Sequence, residues 1–435
     1  MRKVNMEQFT NDWTRRNFVK ATAAISAGTL LPTAFASRLE HAVDDSIKVG
    51  VIGCGGRGTG AAANAIKAHP KVKIVAMADL FADRLHSSHG WLSNDEEYMS
   101  QVSVPSEHMF VGFDAYKELL ALGSIDYVIL ATPPGFRPAH MSAAVDAGKH
   151  VFMEKPVAVD PVGIRTVIEA GQRAKSRNLS VVAGTQRRHE RSYLSLMDRV
   201  QNGELGEVVS ASCYWNQGGL WVHDRKPEYS DMEWQCRNWL YFAWLSGDHI
   251  CEQHIHNIDV VNWAMGGPPV KATGMGGRQV RTDPKFGNIF DHFSVEYEYA
   301  NGMTMQSMCR QIDGCASRVE EVLVGSKGRS VSRPGFAVIN GETPWRFDGE
   351  NRNPYEQEHV DLIESITGSG AYLNEAQQVA ESTLTAIMGR MSAYTGKTVD
   401  WSQALNSKLD LSPKSFSMEA LPVRPVSVPG KTPLI

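Results

Sequence analysis

The most chemically informative residues of this chain form a glycine-rich hexapeptide. Three of its glycines have the spacing G-x-G-x-x-G, which allows a tight turn, close approach of the backbone to a pyrophosphate, and close packing of a helix on a strand. A β-branched run at residues 47–52 precedes the hexapeptide, and an alanine-rich run at residues 60–68 follows it, as a strand–turn–helix unit requires. We therefore expect the loop to bind a dinucleotide at the N-terminus of the helix. The six residues are Gly53, Cys54, Gly55, Gly56, Arg57 and Gly58.

An acidic residue, Asp79, ends the next predicted strand, about 20 residues after the glycines. A carboxylate in this position accepts hydrogen bonds from both hydroxyls of the adenosine ribose and repels a 2′-phosphate. Asp79 therefore favours NAD over NADP as the cofactor. Arg84 follows shortly afterwards and could reduce this repulsion, so NADP stays open as the less favoured alternative.

Four further segments accompany the glycine loop along the chain. Residues 131–134 read A-T-P-P, residues 147–156 read A-G-K-H-V-F-M-E-K-P, residues 203–206 read G-E-L-G, and residues 252–259 read E-Q-H-I-H-N-I-D. With these segments in this order, the sequence resembles the Gfo/Idh/MocA oxidoreductase family, which includes glucose–fructose oxidoreductase and inositol dehydrogenase. The E-K-P stretch is the most specific part, because glycine loops occur in many folds.

The resemblance implies three catalytic residues. Lys155 would lie beside the nicotinamide and donate a hydrogen bond to the reacting hydroxyl, and His256 would be the general acid/base on that hydroxyl. Glu252 stands where the family usually has Asp and would help to orient or tune the reacting groups. The resemblance also implies a cis peptide bond before Pro156. The residues predicted to contact the cofactor are Gly53, Cys54, Gly55, Gly56, Arg57, Gly58, Asp79, Arg84, Thr132, Pro133, Pro134, His140, Glu154 and Lys155.

The chemistry of the three catalytic candidates agrees with an alcohol oxidation. Such a reaction needs a hydride acceptor, which a nicotinamide provides, and a group that takes the hydroxyl proton. Histidine titrates near neutrality and suits that second task, while an ammonium group stabilises the developing alkoxide. Lys155 could instead be a surface lysine, but ligands bind at the carboxyl ends of strands in this fold.

Six other residues are predicted to contact the substrate. Arg187 follows the last parallel strand, where an interdomain salt bridge is an equally good interpretation. His254 fits either a satisfied polar group or a substrate contact, and Asp259 could merely pair within its helix. The aromatic segment 214–244 holds half of the ten tryptophans, and its rings suit either a sugar or a subunit interface. The six residues are Arg187, Trp215, Arg237, Trp239, His254 and Asp259.

Composition and spacing argue against several kinds of partner. The 435 residues carry a formal charge of −4 and no block of Lys or Arg, which argues against nucleic acid. No apolar run is long enough to span a membrane. His254 and His256 would supply two metal ligands at most, and no neighbouring cluster has ligand spacing, so we expect no metal site.

The order of the elements predicts an α/β fold that begins with a Rossmann-type, doubly wound parallel sheet, since short apolar runs alternate with helical stretches. Later and longer strands flank the hairpin signals at residues 301–302 and 325–328, which predicts a C-terminal α+β domain with a large, mostly antiparallel open sheet. The predicted divisions are a signal peptide at residues 1–36, a Rossmann domain at 46–185, a substrate and oligomerisation domain at 186–402, and an extended tail at 403–435.

The N-terminal residues have the pattern of an export signal. Arg15 and Arg16 precede an apolar run at residues 21–31, and residues 34–36 read A-F-A, a small-x-small cleavage site. This arrangement predicts a secretory signal, and the arginine pair predicts the twin-arginine route to the periplasm. An amphipathic helix that stays on the protein, or a membrane anchor, is the alternative interpretation.

Together these features predict a periplasmic NAD-dependent oxidoreductase that acts on a hydroxyl of a sugar, cyclitol or glycoside. A periplasm has no evident pool of free NAD, so we expect the cofactor to be tightly bound and internally recycled. One alternative is a redox-neutral enzyme that cleaves or epimerises a glycoside by oxidation, elimination and re-reduction. Another is a non-catalytic sugar-binding protein on a Rossmann core. We expect a homo-oligomer, either a dimer or a tetramer.

Overall fold

A parallel sheet of six strands comes first in the part of the chain that the structure describes. The structure is a computed structural model and describes residues 45–435, so the predicted signal peptide lies outside the described residues. The strands are β1 (Ile47–Ile52), β2 (Val72–Asp79), β3 (Met109–Val111), β4 (Tyr127–Leu130), β5 (His150–Met153) and β6 (Val181–Ala183). They lie in the order β3-β2-β1-β4-β5-β6, and every pairing is parallel. This is the order of a dinucleotide-binding sheet, which confirms the predicted Rossmann fold.

Helices follow these strands and bury both faces of the sheet. Alternate residues of β4 belong to two different hydrophobic cores, Val128 and Leu130 to one, Tyr127 and Ile129 to the other. A strand buried on both faces needs apolar residues throughout, which is why β4 shows no polar alternation. The helices are α1 (Gly56–Ala68), α2 (Ala82–Asn94), α3 (Ala115–Leu120), α4 (Arg137–Asp146) and α5 (Pro161–Ser176).

A second sheet of nine strands follows. Its strands are β7 (Val208–Gln217), β8 (Lys271–Gly277), β9 (His292–Glu298), β10 (Thr304–Gln311), β11 (Arg318–Gly325), β12 (Gly328–Arg333), β13 (Phe336–Gly341), β14 (Trp345–Arg346) and β15 (Val399–Asp400). The order is β14-β13-β12-β11-β7-β10-β9-β8-β15, and every pairing is antiparallel except that of β7 with β10. The predicted large, mostly antiparallel sheet is therefore confirmed.

Two helices of the second half of the chain, α10 (Ile255–Met265) and α12 (Ala376–Thr395), pack on one face of this sheet. The helices are α6 (Arg191–Gln201), α7 (Asp231–Arg237), α8 (Ala243–Ser246), α9 (His249–Glu252), α10 (Ile255–Met265), α11 (Pro354–Thr367), α12 (Ala376–Thr395) and α13 (Trp401–Asn406). α10 contacts β7, and α12 contacts β8. Side chains of β10 alternate between buried and more exposed positions, as a strand with one covered face requires. Met275 and Met308 are exposed on these strands.

The chain returns to the first sheet after the second one is nearly complete. Val181 of β6 forms a parallel bridge with Asn374, and Glu375 Oε2 accepts a hydrogen bond from the Ala183 amide at 2.8 Å. α11 also packs against α1. The two sheets are therefore joined, and residues 46–435 form one compact unit.

The cysteines of the chain are all free thiols in this structure. All six cysteines lie among the described residues and none forms a disulfide; five are buried, and Cys315 is exposed. Burial raises the pKa of the Cys54 thiol in the glycine loop, which keeps it protonated. Within residues 45–435, no helix is long and apolar enough to cross a membrane.

Candidate active site

The glycine loop forms the turn between β1 and α1. Gly53 has a φ of +99°, in the left-handed region that favours glycine. A Cβ on Gly58 would lie 1.7 Å from the Gly53 carbonyl oxygen, so only glycine fits there. A Cβ on Gly55 or Gly56 would meet no atom within 4 Å, because the backbone there faces open space. No side chain caps α1, so its first N–H groups are available to the phosphates of a dinucleotide.

A cleft of about 450 Å³ lies in front of this loop, at the carboxyl ends of β1, β2 and β4. Sheets of this order bind ligands at that edge. Nine of the predicted cofactor residues line the cleft, namely Gly53, Gly55, Gly56, Arg57, Asp79, Arg84, Thr132, Pro133 and His140. The other five predicted cofactor residues lie outside its lining, namely Cys54, Gly58, Pro134, Glu154 and Lys155.

Asp79 is held in place by the backbone. Its Oδ2 accepts a hydrogen bond from the Cys54 amide at 2.6 Å, and its Oδ1 accepts one from the Phe81 amide at 2.8 Å. Burial raises the pKa of this carboxyl, while both amides and the charge of Arg84 oppose the rise. A carboxylate offers about four acceptor sites, so about two remain for ribose hydroxyls. Arg84 Nη2 donates toward His223 Nε2 at 3.4 Å.

A buried arginine joins the A-T-P-P turn to the E-K-P turn. Arg137 is 2% exposed and donates hydrogen bonds to the carbonyl oxygens of Thr132 and Pro156. Thr132 Oγ1 also lies 3.1 Å from His140 Nδ1. Burial, helped by the charge of Arg137, lowers the pKa of His140 to about 3, so this ring is neutral. The A-T-P-P turn, which lines the cleft, is therefore fixed relative to the E-K-P turn.

Lys155, Glu252 and His256 converge between β5 and the pair α9 and α10. The Lys155 ammonium lies 2.5 Å from the Glu252 carbonyl oxygen and 3.3 Å from Glu252 Oε1. The His256 ring stacks on Trp215, with 5.6 Å between ring centroids. The peptide bond before Pro156 is cis, as the resemblance implies. The Glu252 carboxylate is thus the ion-pair partner of Lys155.

The imidazole of His256 is neutral at neutral pH. Burial lowers its pKa well below the usual value, and the positive charges of Lys155, Arg187 and Arg57 lower it further. A neutral imidazole can accept a proton. Arg57 lines the cleft and bonds to Glu154, which directly precedes Lys155, so this arginine connects the cleft to the Lys155 segment.

Arg57 connects the glycine loop with Glu154 and with α11. Its Nε donates to Glu154 Oε1, and its Nη2 donates to Glu358 Oε1 at 3.4 Å. The guanidinium also lies 4.9 Å from the Tyr355 ring centroid. Burial, followed by the charge of Glu154, raises the pKa of Glu358. Glu154, which was predicted to contact the cofactor, is therefore held by Arg57 beside the loop.

Two family models match this arrangement. The "Oxidoreductase family, NAD-binding Rossmann fold" model matches residues 47–183, and the "GFO/IDH/MocA C-terminal domain" model matches residues 193–331. The two ranges together span well over half of the chain. The chain belongs to the Gfo/Idh/MocA oxidoreductase family. The predicted family assignment is thereby confirmed.

Several known proteins are similar to this Gfo/Idh/MocA chain. Inositol 2-dehydrogenase of Salmonella paratyphi B is 24% identical over 51% of this chain and 55% of its own length, so the chain spans about half of that relative. Scyllo-inositol dehydrogenase from Lactobacillus casei, solved with NAD(H) and scyllo-inositol, has a TM-score of 0.62 at 19% identity over 82% of this chain and 100% of its own. Aldose–aldose oxidoreductase from Caulobacter crescentus has a TM-score of 0.63 at 18% identity over 82% and 99%. These structures share the fold.

Three residues of this family member that were predicted to contact substrate are buried in internal pairs. Arg187 is 2% exposed and forms an ion pair with Glu321, as the salt-bridge interpretation describes. Asp259 is 1% exposed and pairs with Arg188 rather than within its helix. His254 is fully buried, with its Nε2 atom 2.8 Å from Ser307 Oγ. Arg187 and Asp259 thus form buried ion pairs, while Arg187 Nε and His254 Nδ1 are buried without a hydrogen-bond partner among the described residues.

The aromatic residues of segment 214–244 lie in two different places in this family member. Trp215 stacks on His256, one of the predicted catalytic residues. Arg237 and Trp239 were also predicted to contact substrate, but they line the cofactor cleft together with Trp221 and His223. This position could not be predicted from the sequence, because the segment follows Asp79 by more than a hundred positions. The described residues contain no group of three or more His, Cys, Asp or Glu side chains that could hold a metal.

Proposed function

We propose that this chain is an NAD-dependent oxidoreductase that acts on a hydroxyl of a sugar, cyclitol or glycoside. The observation that carries the proposal is that Lys155 pairs with Glu252 and lies close enough to His256 for its charge to act on that ring, while Arg57 of the glycine loop bonds to Glu154, the residue before Lys155. The glycine loop itself fits a pyrophosphate. Gly53, Gly55, Gly56 and Asp79 would hold the dinucleotide. A bound NAD would supply the hydride acceptor.

The residues of the site divide the work on the hydroxyl. His256 is neutral and buried, so it takes the hydroxyl proton as oxidation proceeds. Lys155 donates a hydrogen bond to the oxygen and stabilises the negative charge that develops there. Glu252 pairs with Lys155 at 3.3 Å and fixes the position of the ammonium group. The flat ring of Trp215 beside His256 suits the apolar face of a sugar.

The substrate class is supported by the relatives. The three named above are an inositol 2-dehydrogenase, a scyllo-inositol dehydrogenase and an aldose–aldose oxidoreductase. Their names all describe polyhydroxylated rings or aldoses. We therefore propose a polyhydroxylated small molecule as the substrate.

We further propose that the enzyme works in the periplasm with a cofactor that it recycles. The twin-arginine pattern at residues 14–20 supports export of the folded protein with its cofactor bound. A cofactor without an exchanging pool must return to its starting state in each cycle. Reduction of a second carbonyl achieves this, and so does the alternative redox-neutral scheme of oxidation, elimination or epimerisation, and re-reduction.

Mass spectrometry of nucleotide released from the purified mature protein tests this proposal. We expect NAD(H), and we expect bound NAD to be reduced when a suitable sugar or cyclitol is added. Protein that contains no nucleotide and reduces neither NAD nor NADP with any tested polyol would instead be a sugar-binding protein. Release of NADP(H) would overturn the choice of NAD and the role assigned to Asp79.

Replacing Asp79 by alanine is expected to weaken NAD binding and to narrow the preference for NAD over NADP. The carboxylate would no longer accept ribose hydroxyls or repel a 2′-phosphate, and Arg84 lies in the same cleft to receive that phosphate. Each effect should change affinity by about tenfold or more, the value of one hydrogen bond to a charged group. Titration of wild type and variant with both nucleotides measures it. An unchanged NADP/NAD affinity ratio would contradict the prediction.

As the pH is lowered, kcat/KM for alcohol oxidation is expected to decline only well below pH 6.5. The pKa of His256 is lowered, so its imidazole stays neutral and able to accept a proton as the pH falls from 7 to 6. In the direction of alcohol oxidation, kcat/KM should therefore be nearly constant over that interval. Circular dichroism and nucleotide content at each pH serve as controls for unfolding and cofactor loss. A decline with an apparent pKa of 6.5 or higher would show that His256 is not the proton acceptor.

We also propose that the protein is a homo-oligomer, a dimer or tetramer, and that the open face of the nine-stranded sheet is the interface between its subunits. That face carries the exposed Met275 and Met308, while the opposite face is covered by α10 and α12. Sedimentation of wild type and of Met275→Lys, which places a charge on this face, tests the proposal. A monomer at all concentrations would contradict it.

A further inference from the structure

The outer wall of the cofactor cleft is built by the C-terminal half of the chain. Trp221, His223, Arg237 and Trp239 line the cleft opposite the loop that follows Asp79; we call these four residues the adenosine wall. We propose that the adenosine wall is a preformed surface that binds the adenine ring of the cofactor and encloses it, so that nucleotide exchange is slow. This inference rests on the proposed function, because it assumes that the cleft holds NAD.

The chemistry of the wall suits adenine. An adenine ring has two flat apolar faces and polar edges, and it stacks on aromatic rings or on a guanidinium. Trp221 has its ring centroid 4.8 Å from that of His223 and 6.0 Å from that of Trp239, so the three rings form one cluster, tilted to each other by 43° and 60°. Trp221 remains 42% exposed, which leaves its ring free to take a ligand. Asp79, which would hold the adenosine ribose, lines the same cleft.

Arg237 links the wall to the first turn of α2, the helix that follows β2, and we call this contact the latch. Its Nη1 and Nη2 atoms donate to the two carboxylate oxygens of Asp83, at 3.0 and 3.2 Å. Its guanidinium lies 3.9 Å from the ring centroid of Phe81 and 5.1 Å from that of Tyr229. Glu233 fixes the same guanidinium from within α7, at 2.9 Å from Nε. Phe81 and Asp83 directly follow Asp79, so the latch lies beside the ribose position.

The wall is braced from behind, so its position does not depend on the ligand. The His223 amide donates to Asn238 Oδ1 at 2.9 Å, and Asn238 Nδ2 donates to the Lys285 carbonyl oxygen at 2.8 Å. Asn238 is fully buried. On the Rossmann side, Arg84 contacts His223 at 3.4 Å. A nucleotide enclosed between these two sides leaves only when the contacts of Arg237 and Arg84 open.

The experiment compares nucleotide exchange in three proteins purified with their cofactor. Wild type, Arg237→Ala and Arg225→Ala are mixed with an excess of isotope-labelled NAD, and the bound nucleotide is followed by mass spectrometry. Arg225 is the matched control, because it belongs to the same segment and pairs with Asp231 and Trp234 but does not line the cleft. Loss of two partly exposed ion pairs, with Asp83 and Glu233, and of the ring contacts should speed exchange on the order of tenfold in Arg237→Ala.

Asp83→Asn removes the other half of the latch from a side chain that is 62% exposed, so its folding is not at risk. It should also speed exchange, while Arg225→Ala should match wild type. Trp221→Ala should weaken the binding of AMP, which contains the adenosine half alone. Equal exchange rates in wild type, Arg237→Ala and Asp83→Asn would overturn the latch, and so would equal acceleration by Arg225→Ala.

Different results would contradict the adenosine wall and the proposed oxidoreductase function. If the protein is purified without nucleotide, NAD is added and its dissociation is followed by tryptophan fluorescence in the same variants, which still tests the wall. If the wall variants lose nucleotide as expected but no polyol reduces bound NAD, the wall stands and the proposed function fails. If polyols reduce bound NAD but AMP binds Trp221→Ala as tightly as wild type, the wall fails alone.

Discussion

Replacing Lys155 by alanine is expected to lower kcat for alcohol oxidation by about 10²–10³-fold, the usual effect of removing one group that stabilises a developing oxyanion. Lys155 lies outside the lining of the main cleft, so nucleotide content should stay close to that of wild type. The ammonium acts on the alkoxide as it forms, so kcat should fall more than KM rises. Reduction of bound NAD, followed over a range of substrate concentrations, measures kcat and KM. Mass spectrometry of the released nucleotide measures the nucleotide content.

Glu252→Gln is the matched variant for this test. It keeps the side-chain length and removes the charge that pairs with Lys155 at 3.3 Å, while the Glu252 carbonyl oxygen still accepts from the ammonium at 2.5 Å. Its effect should therefore be smaller than that of Lys155→Ala. If Lys155→Ala oxidises substrate at the wild-type rate with full nucleotide content, the proposed site is wrong. Loss of nucleotide from Lys155→Ala would mean that this residue binds the cofactor instead.

Replacing Glu321 by alanine is expected to reduce the free energy of unfolding by about 3–5 kcal/mol, since it leaves a buried charge without its partner. The Glu321 carboxylate accepts hydrogen bonds from Arg187, from Asn257 Nδ2 at 2.6 Å, from Tyr193 at 3.1 Å and from Ser332 at 2.8 Å. Arg187 is 2% exposed, so water cannot replace the lost carboxylate. Urea unfolding followed by circular dichroism measures the shift.

Two controls accompany this prediction. Glu320→Ala removes the neighbouring carboxylate, which pairs with a more exposed arginine, and it should cost about 0–1 kcal/mol. The double variant Arg187→Met with Glu321→Leu removes both charges and should recover a large part of the lost stability. If Glu321→Ala unfolds at the same urea concentration as Glu320→Ala, the buried pair does not stabilise the fold.

The local parts of this molecule could be predicted from its sequence. One example is the strand–turn–helix unit of β1, the glycine loop and α1, which are consecutive in the chain. It was predicted from three neighbouring signals: the β-branched run, the glycine spacing and the alanine-rich run. The hairpin between β9 and β10 was predicted for the same reason, since Asn301-Gly302 marks the turn between two alternating strands. The cis peptide bond before Pro156 came from the family resemblance.

The contacts between distant segments could not be predicted. Arg187 and Glu321 are 134 positions apart, so the choice between a salt bridge and a substrate contact stayed open until the structure paired them. Arg237 and Asp83 are 154 positions apart, and the tryptophans of segment 214–244 would suit a sugar as well as an adenine. Spacing in a sequence describes one strand or helix, whereas these contacts depend on how two sheets are joined.

The edge of the parallel sheet has a consequence for the order in which the protein can be made. β6 is completed by Asn374 and Glu375, and the Ala183 amide finds its acceptor 192 positions later in the chain. While a ribosome is still producing the second sheet, the edge of β6 has no partner, although all six parallel strands have already been synthesised. The Rossmann half therefore finishes folding only after translation has passed α11, and a chain released before that point would keep an open strand edge that favours aggregation.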